Sequence, residues 1–269
     1  TRKKVLEIVK KYNFNPNTLA SGLKSNRTYL IAVVVADITN SFFMDIGKGI
    51  ENAIGNQKYS LVFADTHGDE KKELEVVKKL INRKIDGIVL ASVSEKEDVL
   101  KECRKKNVPV VQVDRQIDDE DTNAVLWEDF RLAYTLAEHV IEKGHTNVAI
   151  ENTRLGCSTG QHRLQGYLEA FRSQGIRIDE ENISASNFEM QDAYEHVKSL
   201  LEKPKCPTCI ICSNNIMVKG SLKAIQEKGL SIPEDISICC FGNIETNEYS
   251  LTDITNIQKS RRTFTQSDK

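Results

Sequence analysis

Signals for membrane insertion, secretion and catalysis are all lacking in this 269-residue sequence. The longest uninterrupted apolar run, residues 30–36, has the length of a β-strand and is far shorter than the roughly 20 residues that span a bilayer. The N-terminus lacks the charged, apolar and small-residue layout of a secretory signal, so we expect neither a signal peptide nor a membrane partner. No G-x-S-x-G elbow, Gly-rich phosphate loop or carboxylate constellation is present, which argues against an enzyme.

An excess of charge of one sign is also absent from the chain as a whole. The formal net charge is −2, so no global electrostatic attraction draws the protein toward DNA or a membrane surface. The distribution is uneven, however, because residues 1–28 hold seven Lys or Arg against one Glu. The sequence therefore predicts a local basic patch on an otherwise neutral body.

The cysteines are the other unusual feature of the composition. Seven of them, an odd number, are scattered through apparent strands and helices, which is typical of free thiols in a reducing compartment such as the cytoplasm. Cys206, Cys209 and Cys212 have a C-x2-C-x2-C spacing that invites a metal or redox interpretation. Cys209 and Cys212 would point to opposite faces of a strand, and no second Cys/His cluster completes a tetrahedral site. We predict no metal and no cofactor.

Apolar runs and amphipathic helical stretches alternate along the rest of the sequence. The apolar runs occupy residues 30–36, 59–64, 86–92, 108–114, 147–151, 208–212 and 236–241. Helices are predicted near residues 129–143, 161–175, 190–202 and 215–228. Continuous apolar strands joined by amphipathic helices indicate a parallel sheet that is covered on both faces.

The repetition of this pattern predicts an α/β protein with two doubly wound parallel-sheet subdomains and a helical segment before them. We divide the chain into residues 1–28, two subdomains at 29–128 and 129–256, and a polar tail at 257–269. Ligands of doubly wound sheets bind outside the carboxyl ends of the strands. With two such sheets facing each other, the natural site is the cleft between them.

The opening stretch TRKKVLEIVKKY places Val5, Ile8 and Val9 on one face of a helix with lysines around the rest. By periodicity alone it is an ordinary amphipathic surface helix. The following NPNTLASGLK has Pro16 at a helix-start position and leads into the polar linker SNRTY. A second short helix is therefore predicted immediately before the first strand.

These segments together resemble the junction between headpiece and core in the LacI/GalR family of bacterial transcriptional repressors. The resemblance begins with "YNFNPNTLASGLK" and "IAVVVADITNSFF" and continues, in the family's order, with "KKLINRKIDGIVL", "VPVVQVDR", "EHVIEKGHTNVAI", "HRLQGYLEAF" and "KAIQEKGLSIPEDISICCFGN". It extends over about 255 residues. It implies a core of periplasmic-binding-protein type, a homodimer, operator DNA as a partner, and a small-molecule effector, expected to be a carbohydrate.

The resemblance also gives the opening stretch a role. Residues 1–11 correspond to the last headpiece helix and residues 16–24 to the hinge helix, in which Leu23 would wedge between base pairs in the minor groove. The hinge residues expected at DNA are Asn17, Ala20, Ser21, Leu23 and Lys24. The helix-turn-helix of the family would precede residue 1, so we expect the chain by itself to bind DNA weakly or not at all.

Eleven residues match ligand-contacting positions of the family: Phe42, Phe43, Ser92, Asp114, Arg115, Asp129, Thr159, Arg163, Phe188, Asn215 and Gly242. Aromatic faces stack on sugars or purines, and the guanidinium of Arg163 suits vicinal oxygens. Simpler interpretations exist for several of them. Phe42 or Phe43 could be core, Ser92 a local cap, Arg163 a solvated surface charge, and Asp114 with Arg115 a structural ion pair.

The sequence departs from the family pattern at the cleft. Relatives have "A-N-D" where this chain has Ser213, Asn214 and Asn215, and "G-F-D" where it has Cys240, Phe241 and Gly242. The loss of two carboxylates removes strong acceptors, which implies an unusual effector or a weakened effector site. Two alternatives stay open: a sugar receptor of the periplasmic type, which shares the two-lobed fold, and a truncated or decayed regulator.

Overall fold

The computed structural model of the chain describes residues 2, 11, 27–55, 57–119, 121–186, 189–244, 254–257 and 265–266. Among these residues no helix is both long and apolar enough to cross a membrane. The following predicted site residues lie outside the described part of the chain: Asn17, Ala20, Ser21, Leu23, Lys24 and Phe188.

Strands and helices alternate through the described residues. Their bounds are β1 Leu30–Val35, α1 Ser41–Ile54, β2 Ser60–Asp65, α2 Glu70–Asn82, β3 Gly87–Leu90, α3 Asp98–Lys105, β4 Val110–Val113, β5 Asn123–Leu126, α4 Asp129–Glu142, β6 Val148–Thr153, α5 Ser158–Ser173, β7 Ile183–Ser186, α6 Met190–Leu201, β8 Cys209–Cys212, α7 Asn215–Lys228, β9 Ser237–Phe241, β10 Thr255–Ile257 and β11 Thr265–Gln266. A short 3-10 helix, Glu180–Asn182, precedes β7.

The strands form two sheets, ordered β11-β5-β4-β3-β1-β2 and β10-β9-β8-β6-β7. Strands β1 to β5 are parallel, and β11 pairs with β5 in the antiparallel direction. All pairs of the second sheet are parallel. In the first sheet α1 packs on one face and α2 and α3 on the other. In the second sheet α4 and α5 pack on one face and α6 and α7 on the other, which confirms the predicted pair of doubly wound parallel sheets.

Local sequence explains where these elements lie. Strand β1 is central because Val33, Val34 and Val35 fill both faces of the sheet and are each at most 1% exposed. Helix α2 begins after Asp69, whose carboxylate accepts a hydrogen bond of 2.7 Å from the backbone N–H of Lys72. Helix α7 ends at Gly229, which adopts a left-handed backbone with φ 75° that glycine takes without a Cβ clash.

Four short strands, β5, β7, β10 and β11, were not predicted from the sequence. Strands β5 and β7 were not predicted, since NAVL has only four residues and ISAS is made largely of small residues. Each short segment becomes a strand because it pairs with a neighbouring strand, β5 with β4 and β7 with β6. The tail predicted to be polar contains β11, which returns to the first sheet.

Candidate ligand-binding cleft

The two sheets meet along the loops at the carboxyl ends of their strands. Asn40, after β1, accepts a hydrogen bond of 3.3 Å from the side-chain amide of Asn215, which begins α7. Gln116, after β4, donates its backbone N–H to the hydroxyl of Ser158 at the start of α5, at 3.0 Å. The space between these loops, here called the cleft, is the position expected for a ligand of two facing doubly wound sheets.

An aromatic cluster lies on the first sheet's side of the cleft. The ring centroids of Phe42 and Trp127 are 5.6 Å apart, and those of Phe42 and Phe43 are 5.3 Å apart. Phe43 is 3% exposed and belongs to the core of the first sheet, whereas Phe42 and Trp127 are half-buried. Their partly accessible rings offer a flat apolar surface to a ligand.

Arg163 is the central polar group on the second sheet's side. It lies in α5, where its Nε donates to Asp129 Oδ1 and its Nη1 donates to the Ser213 carbonyl oxygen, both at 2.7 Å. Its guanidinium carbon lies 4.1 Å from the centroid of the Phe241 ring. Arg163 is only 5% exposed, so the alternative of a solvated surface charge is wrong.

The electrostatic surroundings keep this buried guanidinium charged. Burial alone would lower the pKa of Arg163, but the charges of Asp129 and Asp114 outweigh it and hold the pKa above its ordinary value. The charge of Asp114, which follows β4 in the first sheet, thus stabilises the charged form of Arg163 across the cleft. Asp114 adopts a left-handed backbone with φ 65° and lies 3.8 Å from the Nε of Arg115 through its Oδ2. The ion pair considered for Asp114 and Arg115 is therefore present.

Another buried carboxylate, that of Glu73, lies beneath the first sheet's loops. Glu73 of α2 accepts a hydrogen bond of 2.7 Å from the Ser92 hydroxyl and one of 2.8 Å from the Val93 backbone N–H. Burial raises the pKa of Glu73 although both hydrogen bonds and the charge of Arg115 oppose the rise. These contacts favour the structural interpretation of Ser92, and a contact between Ser92 and a ligand stays a prediction.

The remaining predicted ligand residues also lie at strand ends or helix starts. Thr159 is 2% exposed, and its hydroxyl oxygen lies 3.5 Å from the sulfur of Cys157. Gly242 follows β9 with φ 96°, and its backbone N–H donates to Ile257 at 2.9 Å. The structure therefore brings Phe42, Asp114, Arg115, Asp129, Arg163 and Asn215 toward one region, and their contact with a ligand stays a prediction.

Sequence reasoning missed the residue that joins the two sheets most directly. Arg154 follows β6, yet its Nη2 donates to the Val93 carbonyl oxygen of the first sheet. The same Nη2 lies 3.5 Å from a carboxylate oxygen of Glu70 in α2. Gln161 makes a similar contact with Glu95. The position of Arg154 at the carboxyl end of a strand was the one available signal, because its partners lie far away in sequence.

Two cysteines of the C-x2-C-x2-C spacing lie in one strand of the second sheet. Cys209 and Cys212 lie in β8 and pack into clusters on opposite faces of the second sheet, as predicted. Among the described residues no group of three or more His, Cys, Asp or Glu side chains is arranged to hold a metal ion.

The fold and the cleft define a two-lobed α/β protein built to hold a small ligand. Residues 28–266 match the family described as periplasmic binding proteins and sugar binding domain of the LacI family. Repressors of that family match along nearly the whole chain, so the chain belongs to the LacI family of transcriptional regulators. The prediction of a regulator is confirmed, and LacI-family regulators are not enzymes.

Three relatives illustrate the match. The HTH-type transcriptional repressor PurR of Aliivibrio salmonicida is 30% identical over 263 residues, covering 97% of this chain and 79% of the relative. A LacI-family regulator from Enterococcus faecium, solved with bound ribose, is 26% identical with a TM-score of 0.75, covering 86% of this chain and 84% of the other. The transcription regulator CcpA of Lactococcus lactis is 25% identical with a TM-score of 0.77, over 86% and 84% of the two chains.

Proposed function

We propose that the chain is the hinge segment and effector-binding core of a homodimeric cytoplasmic regulator that binds operator DNA. In this proposal residues 1–28 hold the last headpiece helix and the hinge helix. Residues 29–128 and 129–256 form the two effector-binding subdomains, and residues 257–269 begin the return crossover. The effector is a carbohydrate bound in the cleft. Arg163, which is buried, charged and paired with Asp129, is the observation that carries the proposal.

The mechanism follows from the contacts that cross the cleft. Arg154, Gln116 and Asn40 each take part in a hydrogen bond from one sheet to the other, and a change in lobe separation would break these bonds. A ligand that contacts both sheets has a higher affinity for one separation and therefore shifts the population toward it. The altered separation changes how the two hinge segments of a dimer meet, and with it the affinity for DNA.

The opening segment supplies the DNA contacts in this proposal. Leu23 enters the minor groove as an apolar wedge that partly unstacks a base step, while Lys24 and its neighbours contact phosphates. Asn17, Ala20 and Ser21 are further DNA contacts of the proposed hinge helix. The repressor relatives support this role because their match includes nearly all of the chain.

The experiment that tests the proposal measures linkage in both directions. Because the chain by itself is expected to bind DNA weakly or not at all, it is joined to the helix-turn-helix headpiece of a LacI-family repressor whose operator is known. Fluorescence anisotropy of the labelled operator duplexes is then followed while ribose and other sugars are titrated. The affinity of the protein for the active sugar is then measured with and without the duplex. We expect both affinities to change by the same factor, since coupling between binding free energies is reciprocal. Two independent affinities would contradict the proposed control by an effector.

A regulator that no longer responds to an effector is the second candidate. The observation in its favour is the ion pair between Arg163 and Asp129. Because this pair balances the charge of Arg163 within the protein, the guanidinium does not require a ligand. The absence of a carboxylate at Gly242, where the family pattern has Asp, points the same way. In that case the duplexes bind with an affinity that none of the sugars changes.

A further inference from the structure

The chain enters the first sheet through a closely bonded turn. Asp86, the residue before β3, accepts a hydrogen bond of 2.9 Å from the backbone N–H of Thr28 through Oδ1 and one of 2.8 Å from the backbone N–H of Tyr29 through Oδ2. The Thr28 hydroxyl donates to the Lys84 carbonyl oxygen at 2.7 Å. One carboxylate thus holds two consecutive backbone donors at the point where residues 1–28 join the sheet. Thr28, Tyr29, Lys84 and Asp86 are here called the joint.

The joint contains two residues with an uncommon backbone conformation. Tyr29 and Lys84 have φ values of 57° and 58°, in the left-handed region that residues with a Cβ rarely adopt. Such conformations persist where the surroundings hold them in place. At Tyr29 the backbone oxygen accepts a hydrogen bond of 2.9 Å from the Ser60 N–H, and the ring centroid lies 5.6 Å from that of Tyr59 in an edge contact. The contacts of the joint therefore fix the turn by which the chain reaches β1.

The joint lies at the opposite end of the first sheet from the cleft. Strands β1 and β3 are parallel neighbours in this sheet, and both begin at the joint. Their carboxyl ends lead to Asn40 and Val93, which accept hydrogen bonds from Asn215 and Arg154 of the second lobe. Two paired strands thus connect the contacts that cross the cleft with the attachment of residues 1–28.

We propose that Asp86 is a positioning residue for DNA binding, because by holding Thr28 and Tyr29 it fixes the direction in which residues 1–28 leave the first sheet. This inference rests on the proposed function in one respect, which is that residues 1–28 supply the DNA contacts. Asp86 acts through the joint and contacts no DNA itself. A segment attached through a loose joint explores more orientations, and it must lose that freedom when it binds DNA. A firm joint therefore raises the affinity for an operator and lets a change in lobe separation reach the hinge segment.

Asp69, in the same subdomain, provides a matched control. Its carboxylate also accepts a hydrogen bond from a backbone N–H, that of Lys72 at 2.7 Å, but Asp69 caps α2 and takes no part in the joint. An alanine at either position removes one negative charge and one carboxylate that accepts from the backbone. Only Asp86→Ala releases Thr28 and Tyr29.

The first experiment needs neither DNA nor an effector. The 269-residue chain is treated with a dilute arginine-specific protease, and mass spectrometry follows the fragment that begins at Thr28. Cleavage of the Arg27–Thr28 bond requires that the residues beside it leave their hydrogen bonds and enter the protease. We expect Asp86→Ala to release this fragment at least about tenfold faster than wild type, and Asp69→Ala to stay within about twofold of wild type. Equal rates in wild type and Asp86→Ala, or an equal acceleration in Asp69→Ala, would overturn the proposal.

If Asp86→Ala does not fold, the nearly isosteric Asp86→Asn is compared with Asp69→Asn in the same assay. Asparagine keeps one side-chain oxygen, but its amide NH2 would meet the other backbone N–H of the joint, so one of the two hydrogen bonds is lost. We expect cleavage after Arg27 to be at least about fivefold faster in Asp86→Asn than in Asp69→Asn. Equal rates in these two variants would reject the role of Asp86.

The second experiment tests the consequence for DNA. Wild type, Asp86→Ala and Asp69→Ala are each joined to the same LacI-family headpiece as in the linkage experiment, and operator affinity is measured by fluorescence anisotropy. We expect Asp86→Ala to bind the operator at least about tenfold more weakly than wild type, and Asp69→Ala to stay within about twofold of it. Unchanged operator affinity in Asp86→Ala would overturn the positioning role. If Asp86→Ala is cleaved faster but no variant, wild type included, binds the operator, the joint is supported and the proposed DNA contacts are the part that fails.

Discussion

Glu151 of β6 and His196 of α6 form a hydrogen-bonded pair, with 2.6 Å between Glu151 Oε1 and His196 Nδ1. The other ring nitrogen of His196 lies 3.2 Å from the Glu181 carbonyl oxygen. Since a carbonyl oxygen only accepts, and the carboxylate of Glu151 also accepts, the geometry fits an imidazolium that donates from both nitrogens. Glu151 is 0% exposed, and His196 is the cation that lies beside its carboxylate.

The pKa values of both members of the pair are raised. Burial lowers the pKa of His196, but the hydrogen bond and charge of Glu151 outweigh burial and leave the pKa above its ordinary value. Burial raises the pKa of Glu151, although the hydrogen bond and charge of His196 oppose the rise. The folded pair therefore holds its protons more tightly than the same groups do in the unfolded chain.

This pair makes stability depend on pH in a defined direction. A histidine with a raised pKa contributes stability that is present below its ordinary pKa of about 6.5 and is lost as the pH rises through the folded value. We expect the free energy of unfolding, measured by urea denaturation, to fall from about pH 6 to about pH 8. His196→Gln should flatten this dependence, whereas the exposed His162→Gln should keep it. A wild-type stability that increases over this range would contradict the assignment.

Close packing between α6 and α7 gives a second prediction. A Cβ added at Gly220 would lie 2.2 Å from the Met190 backbone carbonyl oxygen, which is too close for any rotamer change to relieve. We expect Gly220→Ala to lower the free energy of unfolding by about 1 to 3 kcal/mol in urea denaturation.

The matched control for this prediction lies in α1. A Cβ at Gly49 meets no atom within 4 Å, so Gly49→Ala should raise the free energy of unfolding by about 0.5 to 1 kcal/mol through helix propensity. The two substitutions are chemically identical and should have opposite signs. A stabilising Gly220→Ala would mean that the two helices do not approach as closely as described.

The contacts of Arg154 give a third prediction, which concerns the arrangement of the two lobes. Arg154→Ala removes the hydrogen bond to Val93 and the ion pair with Glu70, both of which cross the cleft. We expect the lobes to separate, with an increased radius of gyration in small-angle X-ray scattering and a loss of about 1 to 2 kcal/mol of stability.

Arg172→Ala is the control for Arg154. Arg172 pairs with Glu169 of the same helix in an exposed, bidentate contact, with both nitrogens 2.9 Å from the carboxylate oxygens. An exposed pair of this kind stabilises little, so its loss should change neither the scattering curve nor the stability by more than about 0.5 kcal/mol. Identical scattering for both variants would show that Arg154 does not hold the lobes together.

The sequence predicted those parts of the fold that depend on local patterns. Strand β1 was visible because each side chain of a fully buried parallel strand is apolar, as Val33 and Val34 are. Strand β7 was not visible in the sequence, because an edge strand made largely of Ser and Ala acquires its conformation from pairing with β6. Short strands of this kind have no period that a sequence pattern can reveal.

In the candidate site, too, the sequence predicted what a local motif carries and missed what depends on tertiary contacts. Arg163 was found through its match to a family motif, and its burial could not be foreseen because Asp129, its partner, lies 34 positions away in the chain. Arg154 and Glu70 are still further apart in sequence and meet only when the two sheets face each other. Contacts between lobes depend on tertiary structure, and local spacing carries no information about them.

The most direct test of an effector in the cleft uses the single tryptophan of the chain. Trp127 lies 5.6 Å from Phe42 between ring centroids, at the carboxyl end of β5, so a ligand that stacks there should change its fluorescence. We would titrate the chain with ribose first, and then with a panel of free sugars, using Arg163→Gln as the variant with an impaired site. A saturable change in wild type that is weakened by at least about tenfold in Arg163→Gln is the predicted result. No saturable change with any compound, in a protein shown to be folded, would contradict a functioning effector site.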